Sequence, residues 1–221
     1  MVNVALAQAV ATAMNLKTKQ LNLHFNELEE EMRAYASAHY VPIIQDEGLA
    51  LLETVIRLAR PKMILEIGTA IGYSAIRMHQ VCGSKVYTIE RDEVMFYEAL
   101  KNVQKAGLEY DIKIILQDAL EAFPLVEQLQ FDMIFIDAAK AQYKKFFDIY
   151  TPLLKENGIV ICDNLTFHGL TENLDEYENQ SRSVKGLIRK LNDFKRFLLA
   201  DENYISTILP LGDGMAIAVK K

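Results

Sequence analysis

Two cysteines, Cys82 and Cys162, are too few for a disulfide scaffold or a thiolate-rich zinc site. Ten glycines and five prolines in 221 residues exclude a collagen-like or low-complexity chain. Unbroken apolar runs such as residues 133–136 fall far short of the roughly 20 residues that cross a membrane, so no membrane association is expected. Positive charge is not in excess either. The 24 Lys and Arg face 30 Asp and Glu for a net charge of −6, which argues against a general nucleic-acid coat protein or an anionic-membrane binder. RNA recognition through a local basic patch stays open. There is no internal repeat, no linker rich in Gly, Ser or Pro, and no long run of one charge. What is there, 51% hydrophobic and 24% charged residues, fits one mid-sized globular domain with decorations.

Residues 4–14 are apolar and Ala-rich, but no Lys or Arg precedes them and Gln8 interrupts them; Lys17 and Lys19 follow. An amphipathic helix of a cytoplasmic protein explains this better than an export signal. Helical spacing continues over residues 21–38, with a Glu-rich outer face, and over 46–59, where Asp46 is the expected N-cap. Between them Pro42 disfavours the α region at Val41, so residues 40–43 should be extended. Residues 1–60 therefore read as a helical extension packed on a core formed by residues 61–221.

From Lys62 onward the pattern alternates. Apolar, β-branched runs at 63–68, 85–90, 112–118, 131–137 and 158–164 are separated by helical segments at 73–81, 93–106, 120–129 and 142–154. Strands that are apolar on both faces and alternate with helices imply a buried parallel sheet. After a long helix near 184–199, strands at 204–211 and 215–220 are joined by Gly212-Asp213-Gly214 alone, which suits a hairpin and not a parallel crossover. The expected fold is α/β: a doubly wound, Rossmann-like sheet of seven mostly parallel strands with one antiparallel strand near an edge.

Ligands of such sheets bind beyond the carboxyl ends of the strands, where strand order reverses. The first strand runs into Gly68 and Gly72, which let a ligand approach the backbone and let the next helix start close to the sheet. A dinucleotide fingerprint wants a further glycine where Ala70 stands, and Glu66 would repel a pyrophosphate but welcome a cationic amino-acid moiety. Glu90 ends the second strand, where a carboxylate can hold both ribose hydroxyls; Asp118 ends the third, near an adenine amino group. This is the pattern of S-adenosylmethionine and not of a nicotinamide dinucleotide.

Strand four ends at Asp137 and strand five at Asp163 and Asn164. If these strands are neighbours, two carboxylates and an amide oxygen converge, a donor set for Mg²⁺, or for Mn²⁺ or Ca²⁺. Helix capping by Asp137 and an Asx-turn at Asp163-Asn164 are the plainer explanation, but two carboxylates brought together without a cation would repel each other. A cation there would acidify a substrate hydroxyl and align it with the S-methyl group. Lys140, on the first turn after Asp137, either accepts the hydroxyl proton or only neutralises the site.

The segments LEIGTAIGYSA, YTIERD, FIDAAKAQY, CDNLTFHG and LPLGDGMAIA resemble the cation-dependent class I O-methyltransferases of the catechol and caffeoyl-CoA type. With DAAK after the fourth strand, the chain is most similar to bacterial tRNA 5-hydroxyuridine methyltransferases, which make 5-methoxyuridine at the anticodon wobble position. The resemblance implies that Asp137, Asp163 and Asn164 ligate Mg²⁺, that Val41, Glu66, Gly68, Ser74, Glu90, Asp118, Ala119 and Asp137 line the cofactor site, that Lys140 and Asp137 are catalytic, and that the protein is a homodimer acting on the tRNA anticodon loop. The first 20 or so residues carry none of these motifs. In residues 182–196, Arg182, Lys185, Arg189 and Arg196 share one helical face, suited to phosphates and equally to simple solvation. Phe167 and His168 can stack on a flipped-out base or on a catechol ring.

Overall fold

In the computed structural model, which describes residues 23–166 and 179–221, the sheet is built where both-face burial dictates. Its strands are β1 (Met63–Ile67), β2 (Lys85–Glu90), β3 (Ile112–Leu116), β4 (Phe131–Ile136), β5 (Leu154–Cys162), β6 (Tyr204–Leu209) and β7 (Met215–Lys220), in the order β3-β2-β1-β4-β5-β7-β6. The first five pair in parallel, and β7 runs antiparallel to both β5 and β6. Strand order reverses between β1 and β4, and that crevice positions the site.

Alternating residues feed two separate cores. Leu65, Ile67, Ile134 and Ile136 pack with Tyr143, Phe147, Tyr150, Leu191 and Phe194 of α5 (Tyr143–Tyr150) and α6 (Arg182–Ala200). On the other face Ile64, Met133 and Phe135 pack with residues of α1 (Glu27–His39), α2 (Asp46–Ala59), α3 (Tyr73–Cys82) and α4 (Glu93–Lys105). Met32, Ala36, Leu49, Leu52 and Ile56 of α1 and α2 belong to this second core, so the two helices are an outer layer of the same hydrophobic body.

Several elements differ from their expected bounds. α1 begins only at Glu27, because Asn26 and Glu29 form a reciprocal capping box that fixes the start. It ends in Tyr40, held left-handed at φ 56°, two residues before Pro42. Asp46 is not the cap of α2: Gln45 takes that place without a side-chain bond, and the Asp46 carboxylate pairs with Arg33. The helix expected at 120–129 is a single 3₁₀ turn, Phe123–Leu125, entered at Pro124. α5 stops at Tyr150, a 3₁₀ turn with Pro152 follows, and β5 starts at Leu154 with a register shift between Phe131 and Met133 of its partner β4. The apolar residues behind the 120–129 expectation are packing residues of a turn, and the helix expected at 142–154 is present over Tyr143–Tyr150, its last residues forming the turn at Pro152. The helix expected at 4–14, Phe167 and His168 lie outside the described residues.

Candidate active site

The turn after β1 is tightly held. Gly68 has φ 104°, and a Cβ there would lie 2.0 Å from the carbonyl oxygen of Asp137. Its lack of a side chain is thus required by the neighbouring strand end before any ligand is considered. Gly72 (φ 83°) begins α3 facing Ala99 of α4, 3.4 Å from its notional Cβ, so it admits a helix and not the sheet. Ala70, also left-handed at φ 46°, donates its N–H to Glu90 Oε2 at 2.8 Å. The other Glu90 oxygen accepts from the N–H groups of Arg91 and Asp92, both at 2.8 Å. Three backbone donors therefore fix this carboxylate at the cavity wall.

Glu66 takes a different place from the one expected. It is fully buried beneath the wall and accepts from the Ser74 and Thr88 hydroxyls, each at 2.5 Å. Burial pushes its carboxyl up to about 8, against the pull of those two hydroxyls and helped by the charges of Asp137 and Glu90. Ser74, which does line the cavity, stands between Glu66 and any ligand. Val41, Gly68, Glu90, Asp118, Ala119 and Asp137 are wall residues too. Asp118 lies in the turn beyond β3, which ends at Leu116; one of its oxygens accepts from the Leu120 N–H at 2.8 Å and the other faces Arg91 at 3.6 Å.

At the far end of the same cavity, about 640 Å³ in volume, stand Asp137, Lys140, Asp163 and Asn164. β4 and β5 are neighbours, with Ile136 in register with Cys162, so the two strand ends deliver Asp137 and Asp163 side by side. The Asn164 amide sits between two partners: its Nδ2 donates to Asp137 Oδ1 at 3.0 Å and its Oδ1 accepts from Lys140 Nζ at 3.3 Å. Burial raises the Asp137 carboxyl, opposed by the Asn164 hydrogen bond and the Lys140 charge. Burial also raises Asp163, and the Asp137 charge adds to it. These carboxylates repel, which is the electrostatic condition a divalent cation relieves. Among the described residues no three His, Cys, Asp or Glu side chains converge as a metal cluster; the donor set is two carboxylates and an amide, all oxygen, and it fits a hard cation.

Two residues here were not singled out from sequence. Asp213, at the tip of the β6–β7 hairpin, lines the cavity and raises both Asp137 and Asp163 by its charge. Its carbonyl accepts from Thr166 N at 2.6 Å and Gly214 O from Leu165 N at 2.8 Å, which clamps the hairpin to the segment after Asn164. The GDG signal was visible but signified only a turn. Tyr143, buried, donates to the Asp163 carbonyl at 2.8 Å and holds that strand end from below. Cys162 is buried, and burial pushes its thiol up, so it is no nucleophile.

On α6, Arg182, Arg189 and Arg196 are exposed and Lys185 is half-buried. The opposite face buries Ile188, Leu191, Phe194 and Leu198. α6 packs against the 3₁₀ turn that carries Lys140. No helix among the described residues is long and apolar enough to cross a membrane.

Comparison with known proteins agrees with this geometry. The O-methyltransferase family model matches residues 18–221. A catechol O-methyltransferase of Niastella koreensis is 34% identical over 180 residues, 77% of this chain and 78% of that protein. A caffeoyl-CoA O-methyltransferase of Populus kitakamiensis is 28% identical over 86% of this chain and 82% of its own length. Among solved structures, a Staphylococcus aureus protein provisionally named caffeoyl-CoA O-methyltransferase is 40% identical, superposes with a TM-score of 0.84 and covers 95% of this chain and 98% of its own. With the glycine turn, the ordered Glu90 and the oxygen-lined corner in place, the chain belongs to the O-methyltransferase family and is an S-adenosylmethionine-dependent O-methyltransferase of the caffeoyl-CoA and catechol type.

Proposed function

We propose that this enzyme methylates the 5-hydroxyl of 5-hydroxyuridine at the tRNA wobble position, giving 5-methoxyuridine, with Mg²⁺ held by Asp137, Asp163 and Asn164. The observation that carries the choice of an oxygen acceptor is the pair of mutually repelling carboxylates beside Lys140, Asp163 buried and Asp137 half-buried, in the same cavity as the glycine turn. The exposed basic face of α6, with Arg182, Arg189 and Arg196, supports a phosphate-bearing substrate. When bound, the cation would lower the pKa of the acceptor hydroxyl and fix its direction.

The chain's own residues supply the rest. Glu90, oriented by three N–H donors, takes the ribose hydroxyls of the cofactor. Ser74 holds the amino-acid end, braced by Glu66 behind it. Asp118 and Ala119 border the adenine. As the neutral amine, Lys140 Nζ accepts the acceptor proton, the acceptor oxygen bonds to the methyl carbon, and the carbon–sulfur pair withdraws to sulfur, leaving S-adenosylhomocysteine. Positioning of oxygen, methyl and sulfur in line accounts for much of the rate in such a displacement.

A second reading, a small catechol-like or acyl-CoA-linked phenol as acceptor, is favoured by the names of the Niastella and Populus relatives. The test is to incubate the protein with labelled S-adenosylmethionine and tRNA known to contain 5-hydroxyuridine, with Mg²⁺ or with EDTA, beside a panel of catechols. Label in 5-methoxyuridine that vanishes with EDTA supports the tRNA reading. Label in the catechols alone moves the acceptor to small phenols, and transfer undiminished by EDTA removes the metal.

A further inference from the structure

The cofactor cavity has two walls that belong to different parts of the chain. One is the extended segment 41–45 between α1 and α2; the other is the start of α3, with Tyr73 and Ser74. They are joined from outside by Arg33 of α1, which is not part of the cavity lining.

The Arg33 guanidinium makes a fork on Asp46, with NH1 to Oδ1 at 2.8 Å and NH2 to Oδ2 at 3.3 Å. Asp46 is the residue at which segment 41–45 enters α2. The same NH1 donates to the Tyr73 hydroxyl at 3.2 Å, and Tyr73 is the first residue of α3, nearly buried in the cavity floor. The guanidinium lies over the Phe25 ring at 4.4 Å from its centroid, which fixes its plane. Such a planar fork can satisfy two partners in one fixed geometry, which a lysine ammonium cannot reproduce. Behind it, Arg77, one turn along α3 from Tyr73, binds Glu29 at 2.7 Å, Glu53 at 2.5 Å and the His24 carbonyl at 2.8 Å. The N-terminal extension is therefore anchored first, and Arg33 is presented to both walls from a fixed base.

We propose that Arg33 is a positioning residue for the cofactor: its guanidinium clamps segment 41–45 to the first turn of α3 and so sets cofactor affinity from outside the cavity. It touches no ligand and acts through Asp46 and Tyr73. The helical extension thereby takes part in cofactor binding, whichever acceptor the enzyme uses.

The test is calorimetric binding of S-adenosylhomocysteine to the full chain, with thermal melting recorded for each variant. Arg33→Met and Arg33→Lys should each weaken binding about tenfold or more, since a misplaced positioning group costs on that scale. Tyr73→Phe, which removes only the hydroxyl, should weaken it less. The double variant Arg33→Met/Tyr73→Phe should bind no worse than Arg33→Met alone, because the two changes break one linkage. Glu31→Gln breaks the other exposed tie of α1, the ion pair with Lys105 of α4, and should leave affinity unchanged. A merely structural Arg33 would lower the melting temperature with affinity intact, and that result would overturn the proposal. So would effects of Arg33→Met and Tyr73→Phe that simply multiply. If Arg33→Met does not fold, Arg33→Lys and Tyr73→Phe carry the same comparison.

Discussion

Gly68 and Asp137 share one space: the carbonyl of Asp137 occupies the volume that a Cβ on Gly68 would need. The glycine turn after β1 and the strand end that carries Asp137 are thus packed against each other, and neither can shift alone. Gly68→Ala should disturb both ends of the cavity, adding a steric clash to the cost of a left-handed φ, about 1–2 kcal/mol for a non-glycine residue. The expected result is loss of S-adenosylhomocysteine binding together with transfer, read by calorimetry and by methyl release. A variant that binds normally yet fails in transfer would show the two ends to be independent.

Asp137→Ala and Asp163→Ala should each abolish transfer, by roughly a thousandfold or more if electrostatic stabilisation is the main contribution. Glu90→Gln should chiefly raise the KM for S-adenosylmethionine. Rates near those of the unaltered enzyme in either Asp variant, with EDTA present, would contradict a metal at this corner.

Lys140 can be examined by separating its charge from its proton. Lys140→Arg keeps a cation but cannot serve as a base at any working pH. If Lys140 takes the acceptor proton, kcat of Lys140→Arg should fall almost as far as that of Lys140→Met, with the KM for the cofactor unchanged. Retention of most of the rate in Lys140→Arg would reduce the residue to electrostatic balance.

Glu66 gives a pH dependence of stability with a defined sign. Its carboxyl titrates at about 8 in the folded chain against an ordinary 4.5, so between those values the folded state holds a proton that the unfolded state has released. Stability contributed by the protonated form is complete below pH 4.5 and is lost as pH rises towards 8. Denaturant unfolding of the ligand-free protein should therefore show a decline from pH 5 to pH 8, and Glu66→Gln should flatten that slope. An identical slope in both proteins would mean that Glu66 is ionised throughout.

The Arg77–Glu29–Glu53 group, with Arg77 and Glu29 almost fully buried, should be unforgiving. Removing Arg77 leaves buried carboxylates without a counter-charge, a change that costs about 3–5 kcal/mol. Arg77→Met should lower the unfolding free energy by that order in a urea titration, whereas Lys144→Met, from an exposed pair with Asp148, should change it little.

The sequence made the sheet legible because strands buried on both faces leave nearly continuous apolar runs, as the central strands β1 and β4 do. The hairpin was legible from the shortness of Gly212-Asp213-Gly214. Helix bounds were less so: the apolar spacing of 120–129 belongs to residues packing under a turn, such as Ala122 and Val126, and periodicity alone does not distinguish that from a helix face. Strand ends located the acidic residues but not their depth, so Glu66 read as a ligand contact when it lies beneath the wall. Asp213 stayed out of view for a topological reason. Its nearness to Asp163 exists only because β7 lies beside β5, a pairing that no local pattern records.

That insertion of β7 has a consequence for synthesis. β6 reaches the sheet only through β7, although β6 is made first. A nascent chain paused before Met215 would hold a finished β6 with no place to dock and a bare flank on β5, exposing backbone donors and acceptors that invite pairing with other chains. Premature stops in the last few residues should therefore yield aggregates rather than slightly shortened enzymes.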